Sequence, residues 1–160
     1  MDERVVDPIG SGATPRPGRA IGIDLGERRI GIAVSDSART LASPRTTLTR
    51  TGDPERDHRA LVDLVAEEEA TVVVVGLPLS LDGRARRAAA AAGGEAELLR
   101  ARLAPIGVPV VLHDERLTTV TAHRALAAGG RTARDRRGVV DRSAAAVLLQ
   151  AWLDGQGRPR

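Results

Sequence analysis

The sequence predicts an α/β fold, a mixed five-stranded sheet flanked by helices, on three observations. Two short apolar runs, about residues 20–25 and 29–35, are separated by a tight glycine-containing turn and followed by a weaker extended run near Arg45–Thr49. Connections this short join antiparallel neighbours, so the three runs read as a meander. From Asp53 onward, stretches of helical spacing alternate with β-branched runs, which implies parallel strands joined through helices. A length of 160 residues suits one domain with one sheet.

Taken in order, residues 1–18 carry Pro8, Gly10, Gly12, Pro15, Pro17 and Gly18 without sustained periodicity and read as a disordered tail. The domain is expected over 19–154, with a short tail at 155–160. Asp53-Pro54 opens a helix with proline at its first position. Leu61, Leu64 and Val65 give that helix an apolar stripe, and it is expected to end near Glu69. Thr71–Val75 is the continuous β-branched run of a strand covered on both faces. Gly76–Gly83 reads as a loop. Arg84–Leu103 reads as a long helix weakened by Gly93-Gly94. Val108–Leu112 is a second buried strand. A helix over Thr118–Ala128 closes at Gly129-Gly130, a basic loop covers Arg131–Gly138, and a last helix runs from about Asp141 to Leu153. Ala144, Ala145, Leu148 and Trp152 form its apolar face. The order is β-β-β-α-β-α-β-α-α.

Composition excludes several kinds of chemistry. There is no cysteine, so disulfides, thiolate zinc sites and cysteine nucleophiles are ruled out. Three scattered histidines make no histidine metal cluster. No apolar run reaches the ~20 residues of a membrane helix, and the N-terminus does not resemble a signal peptide, so a cytoplasmic location is expected. The net charge is +3, yet the pI is about 11.0, because every basic residue is arginine. Arginines cluster at 84, 86 and 87 and again at 131, 134, 136 and 137. The first cluster stands at a helix start, where the macrodipole disfavours cations, and so points to an anionic partner or a solvated face. With one Trp and no Phe or Tyr, stacking of bases on aromatic rings is disfavoured. Nucleic acid, if bound, is then held through backbone charge and shape.

Three isolated acids stand in apolar settings: Asp24 within the first strand, Glu115 after Val108–Leu112, and Asp141 after Val139-Val140. An unpaired buried charge is costly, so each needs a partner. Asp24 is either satisfied by backbone amides or bound to a cation. Glu115 is either a surface acid paired with Arg116 or a ligand at a strand end, where α/β proteins place their sites. Asp141 can cap the last helix, bind metal, or do both with its two oxygens. Oxygen ligands suit Mg²⁺ or Mn²⁺. Ser80 has no evident histidine partner, which argues against a serine hydrolase.

The segments Gly22-Ile-Asp-Leu-Gly-Glu-Arg-Arg-Ile-Gly-Ile-Ala-Val-Ser-Asp36, Val75-Gly-Leu-Pro-Leu-Ser-Leu-Asp-Gly83, Asp114-Glu-Arg-Leu-Thr-Thr119 and Val140-Asp-Arg-Ser-Ala-Ala145 occur in the order seen in one family. By these motifs, spread over nearly all of 19–154, the chain resembles the YqgF family of Holliday-junction-resolvase-like, pre-16S rRNA nucleases within the RNase H-like superfamily. The resemblance implies an RNase H-like fold, metal-dependent phosphodiester hydrolysis, and maturation of the 5′ end of small-subunit ribosomal RNA. It assigns Asp24, Glu115 and Asp141 as catalytic metal ligands, and it favours Glu115 over Asp114. Arg29, Arg84, Arg116, Arg136 and Arg137 are the candidate nucleic-acid contacts. Where the family often carries a lysine before the last Asp motif, this chain has Arg136 and Arg137. Branched DNA is the alternative substrate, and a non-catalytic factor in transcription or ribosome assembly the alternative role. Either a monomer or a homodimer is compatible. An ATP-binding protein of the actin and sugar-kinase type shares the first motif, but needs a second lobe that 160 residues do not supply.

Overall fold

A computed structural model of the chain describes residues 18–78, 83–114 and 133–156, with backbone alone at 84–85 and 133–143. Five strands, β1 (Arg19–Leu25), β2 (Arg29–Ser35), β3 (Ala42–Thr49), β4 (Ala70–Leu77) and β5 (Val110–Asp114), form one sheet in the order β3-β2-β1-β4-β5. The β1–β2 and β2–β3 pairs are antiparallel; β1–β4 and β4–β5 are parallel. The helices are α1 (Pro54–Glu67), α2 (Gly83–Leu103) and α3 (Ala133–Gln156), with a 3₁₀ turn at Ala104–Ile106.

Strand alternation sorts the core into two layers. Ile21 and Ile23 of β1, Ile30 and Ile32 of β2, and Val73 and Val75 of β4 pack with Leu61 and Val65 of α1 and Leu99 and Leu103 of α2. The opposite face carries Ala20, Ala33, Val72 and Val74 against Ala145, Ala146, Leu149, Trp152 and Leu153 of α3. Helices cover both faces, which is why β4 reads as an uninterrupted apolar run. Asp53 caps α1, its carboxylate accepting from the Glu55 amide at 3.1 Å, with Pro54 in the first turn. The helix ends at Glu67, and Glu69 turns the chain into β4 with a positive φ of 53°.

Several boundaries differ from the sequence expectation. Strand β4 continues through Gly76 and Leu77, so the predicted loop starts later, and 79–82 lie outside the described residues. Helix α2 passes Gly93-Gly94 unbroken, because five alanines before them and a Glu-Ala-Glu-Leu-Leu segment after them supply propensity. The largest correction is at α3, which begins at Ala133 rather than near Asp141. Residues 133–138 are therefore helical and not a basic loop, and Asp141 is an interior helical residue, not an N-cap. Gly138 alone costs only about 1 kcal/mol against alanine, too little to stop a helix containing no proline. The expected helix over Thr118–Ala128 lies outside the described residues.

Close packing of α3 on the sheet depends on Gly22. A Cβ there would sit 2.8 Å from the Leu149 Cβ and 2.9 Å from the Ala145 carbonyl oxygen. The carbonyl belongs to the helix backbone, so α3 would have to move as a body. Gly22→Ala is expected to destabilise the fold by about 1–3 kcal/mol, the usual cost of overpacking. Chemical denaturation checks this, and an unchanged midpoint would show that α3 sits less tightly.

Candidate nucleic-acid cleavage site

The three parallel strands β1, β4 and β5 end at one edge of the sheet. Asp24 is the penultimate residue of β1, opposite Gly31 of β2. By strand alternation it shares the α3 face with Ala20 and Gly22. That placement is independently marked at Gly31, where a Cβ would lie 3.7 Å from the Asp24 Cβ and 3.6 Å from the Ala145 Cβ. The carboxylate is half-buried, and among the described residues nothing donates a hydrogen bond to it or pairs with it. The backbone-amide alternative for Asp24 is thus not realised among these residues.

Helix α3 crosses this face so that Leu149 and Ala145 lie over Gly22 while Ala145 also reaches Gly31. Moving towards the helix N-terminus therefore moves towards the strand-end edge. Position 141 is four residues before 145, about 6 Å further along the axis and about 40° away in azimuth, on the same side of the helix. The topology thus carries the backbone of 141 to the edge where Asp24 sits. Glu115 and Arg116 lie outside the described residues, but β5 delivers the chain to that edge, since Asp114 pairs with Leu77 at the end of β4. Among the described residues no group of three carboxylates or imidazoles is assembled.

Of the predicted arginines, Arg29 is exposed at the start of β2. Arg84 lies in the first turn of α2, and Arg136 and Arg137 lie in the first half of α3.

Sequence reasoning passed over two features beside this edge. His113, on the Asp24 face of β5, pairs through its backbone with Gly76, and its buried Nε2 has no hydrogen-bond partner among the described residues. Burial pushes the imidazole pKa down, with the Asp114 carboxylate partly opposing it. The second feature is a clamp on the β1–β2 turn. Gly26, two residues after Asp24, donates to the Asp24 and Arg29 carbonyls at 3.2 and 3.0 Å. Its own carbonyl accepts from Arg50 Nε at 2.7 Å. The Arg50 fork then grips Glu95 of α2 at 3.0 and 2.8 Å, and buried His58 of α1 meets the same carboxylate at 2.9 Å. Desolvation pushes the Glu95 pKa up, but the hydrogen bonds from Arg50 and His58 and their charges outweigh it and leave it below the usual glutamate range. A lone glutamate in the small-residue run 88–96 was the available signal for this clamp.

A carboxylate half-buried at a strand end, without a partner among the described residues, has the donor chemistry of a hard divalent cation site. Asp24 fits such a group as far as one ligand can.

Comparison with known proteins agrees with this architecture. A protein of Rhodococcus opacus named "Putative pre-16S rRNA nuclease" is 48% identical over 147 residues, covering 90% of this chain and 82% of the relative. One of the same name from Anaeromyxobacter dehalogenans is 48% identical over 136 residues, covering 85% and 96%. Thermus thermophilus RuvC in complex with a Holliday junction substrate shares the fold at a TM-score of 0.53 and 18% identity, covering 88% and 96%. The yeast mitochondrial Holliday junction resolvase does so at 0.54 and 9%, covering 88% and 79%. The chain thus shares the fold of these resolvases. The model of the RuvX family, described as Holliday junction resolvase, matches residues 18–155. With its fold and nearly its whole length accounted for in this way, the chain belongs to the RuvX family.

Proposed function

We propose that the protein is a divalent-metal-dependent nuclease that hydrolyses phosphodiester bonds in the 5′-end maturation of pre-16S rRNA in the cytoplasm. The observation that carries this reading is the half-buried Asp24 carboxylate, without a partner among the described residues, at the strand-end edge towards which α3 brings position 141. Relatives at 48% identity bear the rRNA nuclease name, whereas the solved resolvases share little more than the fold.

In this reading Asp24, Glu115 and Asp141 hold Mg²⁺ or Mn²⁺. Two such ions, when bound, generate a nucleophile from water at neutral pH and stabilise the leaving oxygen. The residues of the chain do the rest. Asp24 presents its oxygens from a strand end fixed on both sides by the sheet. The clamp through Arg50 fixes the turn that follows it. Arg29, Arg84, Arg116, Arg136 and Arg137 orient the phosphate backbone, with charge-assisted hydrogen bonds as the means.

The family description favours a second reading, cleavage of branched DNA at the same site. One assay separates the two: labelled pre-16S rRNA and a four-way DNA junction, each offered to the purified protein with Mg²⁺ and then Mn²⁺. Cleavage of the rRNA alone supports the proposal, cleavage of the junction alone replaces it, and cleavage of neither removes both.

Binding is expected to weaken steeply with salt, because arginine–phosphate contacts release counterions. The double substitution Arg136→Ala, Arg137→Ala should lower the slope of log K against log salt by about one to two units. Fluorescence anisotropy at several salt concentrations reads this directly. An unaltered slope would exclude the first half of α3 from the contact.

A further inference from the structure

Behind the β1–β2 turn, on the sheet face opposite Asp24, lies a cavity of about 510 Å³. That volume falls within the roughly 300–1,000 Å³ typical of small-ligand sites. Leu25 and Gly26 form one side, and they are the residues that directly follow Asp24. The other side is the first half of α2, where Ala88, Ala91 and Ala92 leave the space that larger side chains would fill.

The polar groups divide into two sets. Arg50 and Glu95 line the cavity but are already paired with each other. Arg87 and Glu27 are exposed, and neither makes an ion pair or side-chain hydrogen bond among the described residues. A bare anion finds too little here, because the lining charges balance. A purely apolar ligand finds four charged groups. A planar heterocycle with apolar faces, donors and acceptors on its rim and an attached phosphate fits both sets.

We propose that this cavity takes one unpaired nucleotide of the substrate strand, the base between Leu25 and the alanines of α2 and the phosphate at Arg87. The inference rests on the nuclease reading for its ligand and deepens it: the strand crosses the edge of the sheet with the scissile phosphate on the Asp24 side and a neighbouring nucleotide on the other. Recognition of that kind needs no aromatic side chain. It also requires the flanking nucleotide to be single-stranded, because a paired base cannot leave its stack without cost.

The test is a titration of the isotope-labelled full chain without divalent ions, followed by amide NMR. The probes are adenosine and uridine 5′-monophosphates, with adenosine, ribose 5-phosphate and inorganic phosphate as comparisons. The nucleotides should cause saturable shifts at Leu25, Gly26, Ala88 and Ala91, and ribose 5-phosphate and phosphate should not. Ala91→Leu should weaken nucleotide binding by about tenfold or more, since the added methylenes occupy the cavity. Leucine is nearly as good a helix former as alanine, so α2 should tolerate it. Arg87→Gln should weaken the nucleotides by about two- to fivefold and leave adenosine unchanged. Absence of saturable shifts with nucleotides, equal shifts with ribose 5-phosphate, or full binding by folded Ala91→Leu would each overturn the inference. Because no cleavage is measured, nucleotide binding in a chain that cleaves nothing would reject the nuclease reading and keep the site.

Discussion

Asp24→Asn is expected to abolish metal-dependent cleavage while the protein stays folded. Asparagine keeps the size and one acceptor oxygen of the side chain but removes the charge that holds a divalent ion. Changing an outer-shell partner of a metal site already costs roughly 10–100-fold, so loss of a ligand should exceed that. Among the described residues nothing is hydrogen-bonded or ion-paired with the Asp24 carboxylate, so the substitution breaks no such bond among them. The melting temperature is therefore expected at or above that of wild type, because one member of a proposed cluster of repelling acids is neutralised. Binding through the arginines should persist. The two measurements belong on the same preparation: cleavage with Mg²⁺ and thermal unfolding. A folded Asp24→Asn protein cleaving at the wild-type rate would remove the mechanism.

Glu95→Ala should produce the largest loss of stability. The side chains of Glu95 and Arg50 are 21% and 18% exposed, and His58 beneath them is 1% exposed. Removing the carboxylate leaves a guanidinium and an imidazole desolvated without their partner. Breaking such a pair from one side costs about 3 kcal/mol or more when it is buried; partial exposure places this one near the lower end. For a chain of this size that is roughly 6–12 °C in melting temperature. The same clamp sets an acid limit. The Glu95 pKa is depressed in the folded state. Its contribution is therefore full above the ordinary glutamate value near ~4.3 and disappears as pH falls through the lower folded value. Glu68, held by Arg45 and Arg19, and Asp57, held by Thr51, are depressed in the same sense. Acid unfolding of wild type below ~4.3 should thus be steeper than that of Glu95→Ala. Parallel profiles would show that the clamp is not what titrates.

How far the sequence was legible depended on the kind of signal. The meander, α1 with its Asp53-Pro54 start, and β4 were readable because periodicity and caps are local properties. Asp24 stood out because an acid inside an apolar strand has no local explanation. The start of α3 was misread because Asp141 is a good N-cap and Gly138 a plausible stop. Nothing local reports that thirteen further residues, 144–156, anchor the helix through Leu149 and Trp152 on the sheet. The Arg50–Glu95–His58 clamp was invisible for a related reason. Its members are 8 to 45 positions apart, and only the tertiary crossing of α1, α2 and the β1–β2 turn brings them together.

The unbroken course of α3 makes it a ruler. Its 24 residues span about 36 Å, and every residue advances the axis by 1.5 Å and the azimuth by 100°. Arg136, Arg137 and Asp141 are marks on one rigid scale whose zero is fixed by Gly22 against Ala145 and Leu149. Inserting one alanine between Gly138 and Asp141 would swing both arginines by 100° relative to the acid, without altering composition or charge. Inserting four would restore their azimuth to within about 40° and shift them by about 6 Å along the axis. In such a series the position of the cut would follow the arithmetic of the helix, and the chain would set where a substrate is cleaved by the length of a rod.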